Sequence, residues 1–176
     1  PSQAYSIASH VVAIDDGMVY LAEHEFRRVE AIPVNDVSTP TPITVFNGIV
    51  AEHLATTAQY VVATFAHEIH LADKSELGSS GVVSLPVGEI IDSLAVHGET
   101  IFVATNNDRL YRIVPGALPI NSYAVAIESI VDGADGKIDH LSTSGEFLFF
   151  SVGNTLHKLD LSTFTDTTLE VDSNTI

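Results

Sequence analysis

The 176-residue chain has no cysteine, no tryptophan and one methionine, and sets only 7 lysine and arginine residues against 23 aspartate and glutamate. Without cysteine there is no disulfide, no thiolate metal site and no thiol nucleophile. So few bases cannot displace many counterions from phosphates, which is the main source of nucleic-acid affinity. The closest bases are Arg27 with Arg28 and Arg109 with Arg112, so no basic patch is hidden in the total. A net charge of −16 is likewise repelled by an anionic membrane surface. No apolar run approaches the ~20 residues of a membrane-spanning helix. The opening "PSQAYSIASHVVAIDDG" lacks the basic flank of a secretory leader, and no Asn-x-Ser/Thr sequon occurs. These absences together favour an intracellular setting, cytoplasm or nucleus.

What is present is a core. The chain is 45% hydrophobic and 17% charged, with 8 Phe and 5 Tyr, which suits one folded domain and not a disordered chain. It is also repetitive. "HVVAIDDGMVY" (10–20), "YVVATFAHEIH" (60–70) and "IFVATNNDRLY" (101–111) align without a gap, and "LFFSVGNTLH" (148–157) follows with a turn one residue shorter. Ala13, Ala63 and Ala104 share a column, as do Val19, Ile69, Leu110 and Leu156. A β-branched and aromatic run, a polar turn and a second short run is the sign of a β-hairpin.

Each hairpin is preceded by another apolar stretch ("AYSIAS", "GIVAEHLA", "EIIDSLAV", "KIDHLSTS") and followed by one ("FRRVEAIPV", "GVVSLPV", "SYAVAI", "DTTLEV"). The unit is therefore four short strands, recurring at 50, 41 and 46 residues between Val19, Ile69, Leu110 and Leu156. Four strands every ~40–50 residues is the pattern of a β-propeller blade. An all-β fold of four antiparallel blades is expected, spanning about 3–34, 48–87, 89–128 and 137–172. Pro40, Pro42, Pro115 and Pro119 fall in two expected loops, 34–48 between the first two blades and 114–121 before the outer strand of the third. Residues 51–74 carry a competing signal: Leu54, Ala58, Val61, Val62, Phe65, Ile69 and Ala72 also fit a helical stripe. The register with the flanking repeats favours strands.

"HVVAIDDGMVYLAEH", and the "LPV" before "IIDSLAVHGETIFVAT", resemble repeats of the regulator-of-chromosome-condensation family. "HLSTSGEFLFFSVGNTLHKLDLST" resembles a WD-repeat blade, with "KLDLS" where Trp-Asp would stand. The tryptophan of both families is missing, so the resemblance implies the fold and carries over no functional residue. Both families usually have seven blades, which implies that four belong to a larger ring, completed by another chain or by further blades. An open arc would also leave two apolar sheet faces uncovered.

Chemical motifs are sparse. His67, Glu68 and His70 spell H-E-x-H, but the zinc-protease helix spaces its histidines four apart. On a strand Glu68 and His70 share a face and His67 leaves it. In "DGADGKID" Asp132, Asp135 and Asp139 resemble part of a calcium loop, although Val131 and Gly133 stand where oxygen ligands are needed. "DDG" (15–17) and "NND" (106–108) are hairpin turns. No nucleophile elbow or phosphate-binding glycine loop is found. A non-catalytic scaffold that binds protein partners, basic ones included, through its loop rims is therefore expected, and the chromosome-condensation resemblance adds a small GTPase as a possible client. The alternative is a hydrolase or lyase using Glu52, Asp92 and Asp139, acids that recur at similar places in three units.

Overall fold

The structure, a computed structural model, describes residues 10–36, 41–116, 126–131 and 136–170. They form four antiparallel four-stranded sheets, each strand pairing with the next in sequence. The first sheet holds β1 (His10–Asp15), β2 (Met18–Glu23), β3 (Arg28–Pro33) and β4 (Ile43–Asn47). The second holds β5 (His53–Thr56), β6 (Tyr60–Phe65), β7 (Glu68–Asp73) and β8 (Ser80–Ser84). The third has β9 (Ile91–His97), β10 (Thr100–Thr105), β11 (Leu110–Val114) and β12 (Ala126–Val131). The fourth has β13 (Ile138–Ser144), β14 (Phe147–Val152), β15 (Thr155–Asp160) and β16 (Asp166–Glu170). The first strands of successive sheets are neighbours, β1 beside β5, β5 beside β9 and β9 beside β13. These are four blades of a β-propeller, ordered around an axis lined by β1, β5, β9 and β13.

Three apolar seams join the blades. Tyr20, Ala22, Val29 and Ala31 of the first blade meet Val61, Ala63 and Ala72 of the second. Tyr60, Val62, Ile69 and Leu71 meet Ile101, Val103 and Ile113 of the third. Phe102, Ala104 and Leu110 meet Leu148, Phe150 and Leu159 of the fourth. Odd and even residues of one strand thus serve different seams, because successive side chains point to opposite faces of a sheet. Residues 51–74 are strands, as the repeat register indicates. Their helix-like apolar density comes from β6, buried on both faces along almost its whole length.

The first blade departs from the repeat alignment. Its hairpin text "HVVAIDDGMVY" forms the first and second strands, whereas the matching text in the other blades forms the second and third. Accordingly its outer strand is β4, inside the stretch 34–48 that reads as a loop. The stretch "AYSIAS", expected as the innermost strand, lies outside the described residues. Hairpin chemistry is the same at either position, so only the neighbouring blade distinguishes them. The shift also moves the turns: connections alternate between the two ends of a sheet, so "DDG" sits on one face of the propeller and "NND" on the other. We call the face carrying the β1–β2, β5–β6, β9–β10 and β13–β14 turns the upper face.

Asp16 and Gly17 both have positive φ (45° and 72°), the pairing a two-residue type I′ hairpin turn requires. At the lower-face β6–β7 turn the left-handed residue is Ala66 (φ 53°), where a Cβ is strained. Ala66→Gly is expected to stabilise the chain by about 0.5–1 kcal/mol, strain relief exceeding the added entropy of the unfolded glycine. Urea unfolding checks it, and an unchanged or lowered midpoint would mean the turn is unstrained.

Candidate functional site

The upper face carries a cleft of about 760 Å³ lined by Asp15, Asp16, Ala58, Gln59, Asp73, Lys74, Ser75 and Glu99. It spans three blades: the β1–β2 turn, the β5–β6 and β7–β8 connections, and the β9–β10 turn. Four carboxylates face a single ammonium. Lys74 Nζ donates to the Asp15 carboxylate and to the Thr57 carbonyl, tying the first blade to the second. That hydrogen bond, with the Lys74 charge, holds the Asp15 carboxyl below its ordinary value against the opposing effect of burial. Glu99 clasps the second blade to the third, accepting from Thr57 Oγ1 (2.6 Å) and from the Gln59 backbone N–H (3.0 Å). Asp73 accepts from the hydroxyl (2.6 Å) and N–H (2.8 Å) of Ser75, and these bonds depress its carboxyl. Asp16 is exposed at the cleft edge.

The Asp73–Ser75 arrangement recurs in the fourth blade. Asp160 accepts from Ser162 Oγ (2.6 Å), Ser162 N–H (2.9 Å) and Thr163 N–H (3.0 Å), which lower its carboxyl to about 2. "KLDLS" therefore supplies a turn cap at the end of the third strand, and "LADKS" (71–75) is its counterpart in the second blade. The shared Asp-x-Ser was the signal in the sequence for this feature.

The lower face holds the other polar groups. Near the axis, Lys137 Nζ lies 3.0 Å from Asp139 Oδ1 and 3.5 Å from Asp92 Oδ2, and both acids raise the affinity of Lys137 for its proton. Glu52 instead accepts from the Ala66 N–H (3.2 Å) within its own blade. Of the three acids of the alternative enzymatic reading, Asp92 and Asp139 share a lysine and Glu52 braces a turn. Burial lowers the His53 imidazole against the raising influence of Glu52 and Asp92. Of the residues resembling a calcium loop, Asp132 and Asp135 lie outside the described residues, and Asp139 has the Lys137 ammonium beside it. Among the described residues no three His, Cys, Asp or Glu side chains are grouped to hold a metal ion.

His67 is exposed at the β6–β7 turn, while Glu68 and His70 on one face lie 3.2 Å apart. His70 packs edge-on against Phe46 and His157 stacks on Phe150, so both histidines of that repeat column are packing residues. Further out, Glu89 is buried and accepts from Thr105 Oγ1 and from Arg109 Nη1 (2.6 Å). It pins the connection between the second and third blades to the β10–β11 turn, a role without any local sequence signal.

No protein-family model matches the chain, and no curated protein matches its sequence. Solved structures do match. The dihydro-heme d1 dehydrogenase NirN is 14% identical, with a TM-score of 0.69 over 98% of this chain and 38% of NirN. AztD from Citrobacter koseri is 15% identical, with a TM-score of 0.65 over 93% of this chain and 47% of AztD. PorZ, an essential surface component of the type-IX secretion system of Porphyromonas gingivalis, is 15% identical, with a TM-score of 0.62 over 91% of this chain and 20% of PorZ. The chain thus spans about half the length of AztD and less of the other two. At these identities the likeness shows the propeller fold alone.

Proposed function

We propose that the chain is a non-catalytic interaction scaffold of an intracellular complex, and that its upper-face cleft binds a basic segment of a protein partner. The observation that carries this reading is the cleft itself, in which four carboxylates from three blades surround one lysine already occupied by Asp15. Blade-to-blade clasps through Lys74 and Glu99 fix its walls, so a ligand meets a preformed negative surface and little ordering is needed on binding. A propeller suits such a role because its rim loops are carried on rigid sheets. PorZ, a propeller that is a component of a secretion system, lends general support to partner binding. A small GTPase with a basic surface is one client class in keeping with the chromosome-condensation resemblance.

The test compares a lysine- and arginine-rich peptide with an acidic peptide of equal length by fluorescence anisotropy at low salt. The basic peptide is expected to bind and the acidic one not. Asp16→Asn, which keeps a residue tolerant of the left-handed turn, is expected to weaken basic-peptide binding about threefold, as loss of one exposed charge implies. Equal affinity for the two peptides would overturn the proposal.

A further inference from the structure

The outer strand of each blade has a neighbour on one side only, and an edge of free N–H and C=O groups is a template for a further strand. Three of the four outer strands carry features that discourage such pairing. β4 follows directly on Pro42 and breaks register against β3. β12 contains Glu128 and breaks register against β11, and β16 contains Asp166 and Glu170. β8 (Ser80–Ser84) has none of these. It runs in unbroken register along β7, and its sequence "SGVVS" has no charge and no proline. It also contains Gly81, and a glycine inside a strand marks a place where a second backbone approaches closely.

The side chains of β8 divide between its two faces. Val83 is buried in the seam between the second and third blades. Ser80, Val82 and Ser84 point the other way, toward the first blade, and all three are exposed, Val82 by 45%. The opposite wall carries Ile43 of β4, 44% exposed and paired with Ala31, a residue of the seam between the first and second blades. Where His70, the partner of Val82 on β7, packs edge-on against Phe46 of β4 at 6.0 Å, the gap between the two blades is floored. Blades radiate from the axis, so this gap widens outward into a slot open at the rim, with an aliphatic side chain on each wall. At its lower end stands Glu68, opposite the small Ser84, on the same face as Val82 and partly exposed.

We infer that the edge of β8 takes up one strand from a partner protein, an extended segment seated in this slot. Main-chain hydrogen bonds to β8 supply the affinity, and the walls of the slot read alternate side chains of the added strand. The segment therefore has a β-branched residue that packs between Val82 and Ile43. Two positions along, on the same face, it has a lysine or arginine that reaches Glu68 over Ser84. Glu68 and the net charge of −16 turn away an acidic segment. The slot lies on the rim between outer strands and owes nothing to the upper-face cleft, so a cleft that fails to bind basic peptides leaves this inference standing.

The test titrates the whole 176-residue chain into the end-blocked peptide Thr-Val-Thr-Val-Thr-Lys-Thr, read by fluorescence anisotropy and by hydrogen exchange of the complex. Binding is expected, with new protection in β8. N-methylation of one set of alternate peptide amides is expected to abolish binding and of the other set to leave it, since only one edge of an added strand faces β8. Val82→Lys, at an exposed position, is expected to weaken binding at least about tenfold, as a lysine does at an edge strand. Glu68→Gln is expected to weaken it about threefold, and Asp16→Asn in the upper-face cleft to leave it unchanged. Absence of binding, protection confined to other strands, equal effects of the two N-methylated peptides, or an effect of Asp16→Asn as large as that of Val82→Lys overturns the inference. So does a dimer of the free chain that Val82→Lys dissociates, because the occupant is then a second copy. Should Val82→Lys fail to fold by circular dichroism, the N-methylated pair and Glu68→Gln decide.

Discussion

Phe150→Ala is expected to cost about 4 kcal/mol, a large part of the stability of a domain this size. Phe150 is among the largest fully buried side chains and sits at the centre of the seam between the third and fourth blades, with Phe102, Leu110, Leu148 and Leu159. His157 stacks on its ring at 4.9 Å and 12°, so truncation removes that contact as well. The surrounding strands are fixed by ladders on both sides and cannot collapse into the space. Urea unfolding measures the loss, and hydrogen exchange is expected to place the earliest opening in the fourth blade. A change below about 1 kcal/mol would show that the seam relaxes around the cavity.

The second large effect is expected at Arg109. Arg109→Met leaves the buried Glu89 carboxylate with Thr105 but without its cation, and is expected to cost about 3 kcal/mol at pH 7, the lower end for a broken buried pair because Arg109 itself is partly exposed. The pH dependence gives the interaction a signature. In the folded chain burial pushes the Glu89 carboxyl up, but hydrogen bonds from Thr105 and Arg109 and the Arg109 charge outweigh it, so the group lies below its ordinary 4.5. Its stabilisation is fully present above pH 4.5 and is lost as the pH falls through the folded value. Without the guanidinium two of the lowering influences are gone and the folded value moves up, so the variant keeps less of that stabilisation above pH 4.5. The two stability curves therefore converge in acid. Parallel curves from pH 3 to 7 would show that Arg109 acts through packing.

The four-strand unit was legible because a blade must repeat its hydrophobic strands at a spacing set by its own size. Residues 51–74 were ambiguous for a physical reason. Strand β6 lies between two other blades, so Val61 and Ala63 face one seam and Val62 faces the other, and the alternation that marks a half-exposed strand disappears. The displaced first hairpin was illegible from its own residues, since "DDG" makes the same turn wherever the hairpin stands in the sheet. The cleft was hidden by distance along the chain. Lys74 and Asp15 are 59 residues apart and Thr57 and Glu99 are 42 apart, and nothing local links such partners. Asp92 and Asp139 do occupy similar places in their blades, as their "Ile-Asp-x-Leu" context indicates, but the neighbour that decides their chemistry is Lys137.

The enclosure of the second strands has a consequence for the chain away from its native state. "YVVATF" in β6 and "TIFVAT" in β10 are six-residue segments without a charge, proline or glycine, rich in β-branched and aromatic side chains. That is the composition of a steric zipper, and in the folded chain it is harmless because both edges are paired and both faces are covered. A blade that opens exposes such a segment, and what then keeps unfolded chains apart is the mutual repulsion of a net charge of −16. Salt shortens the reach of that repulsion to about 8 Å at physiological ionic strength. Destabilised chains should therefore be recovered by refolding in dilute buffer and lost to fibrous aggregates in concentrated salt.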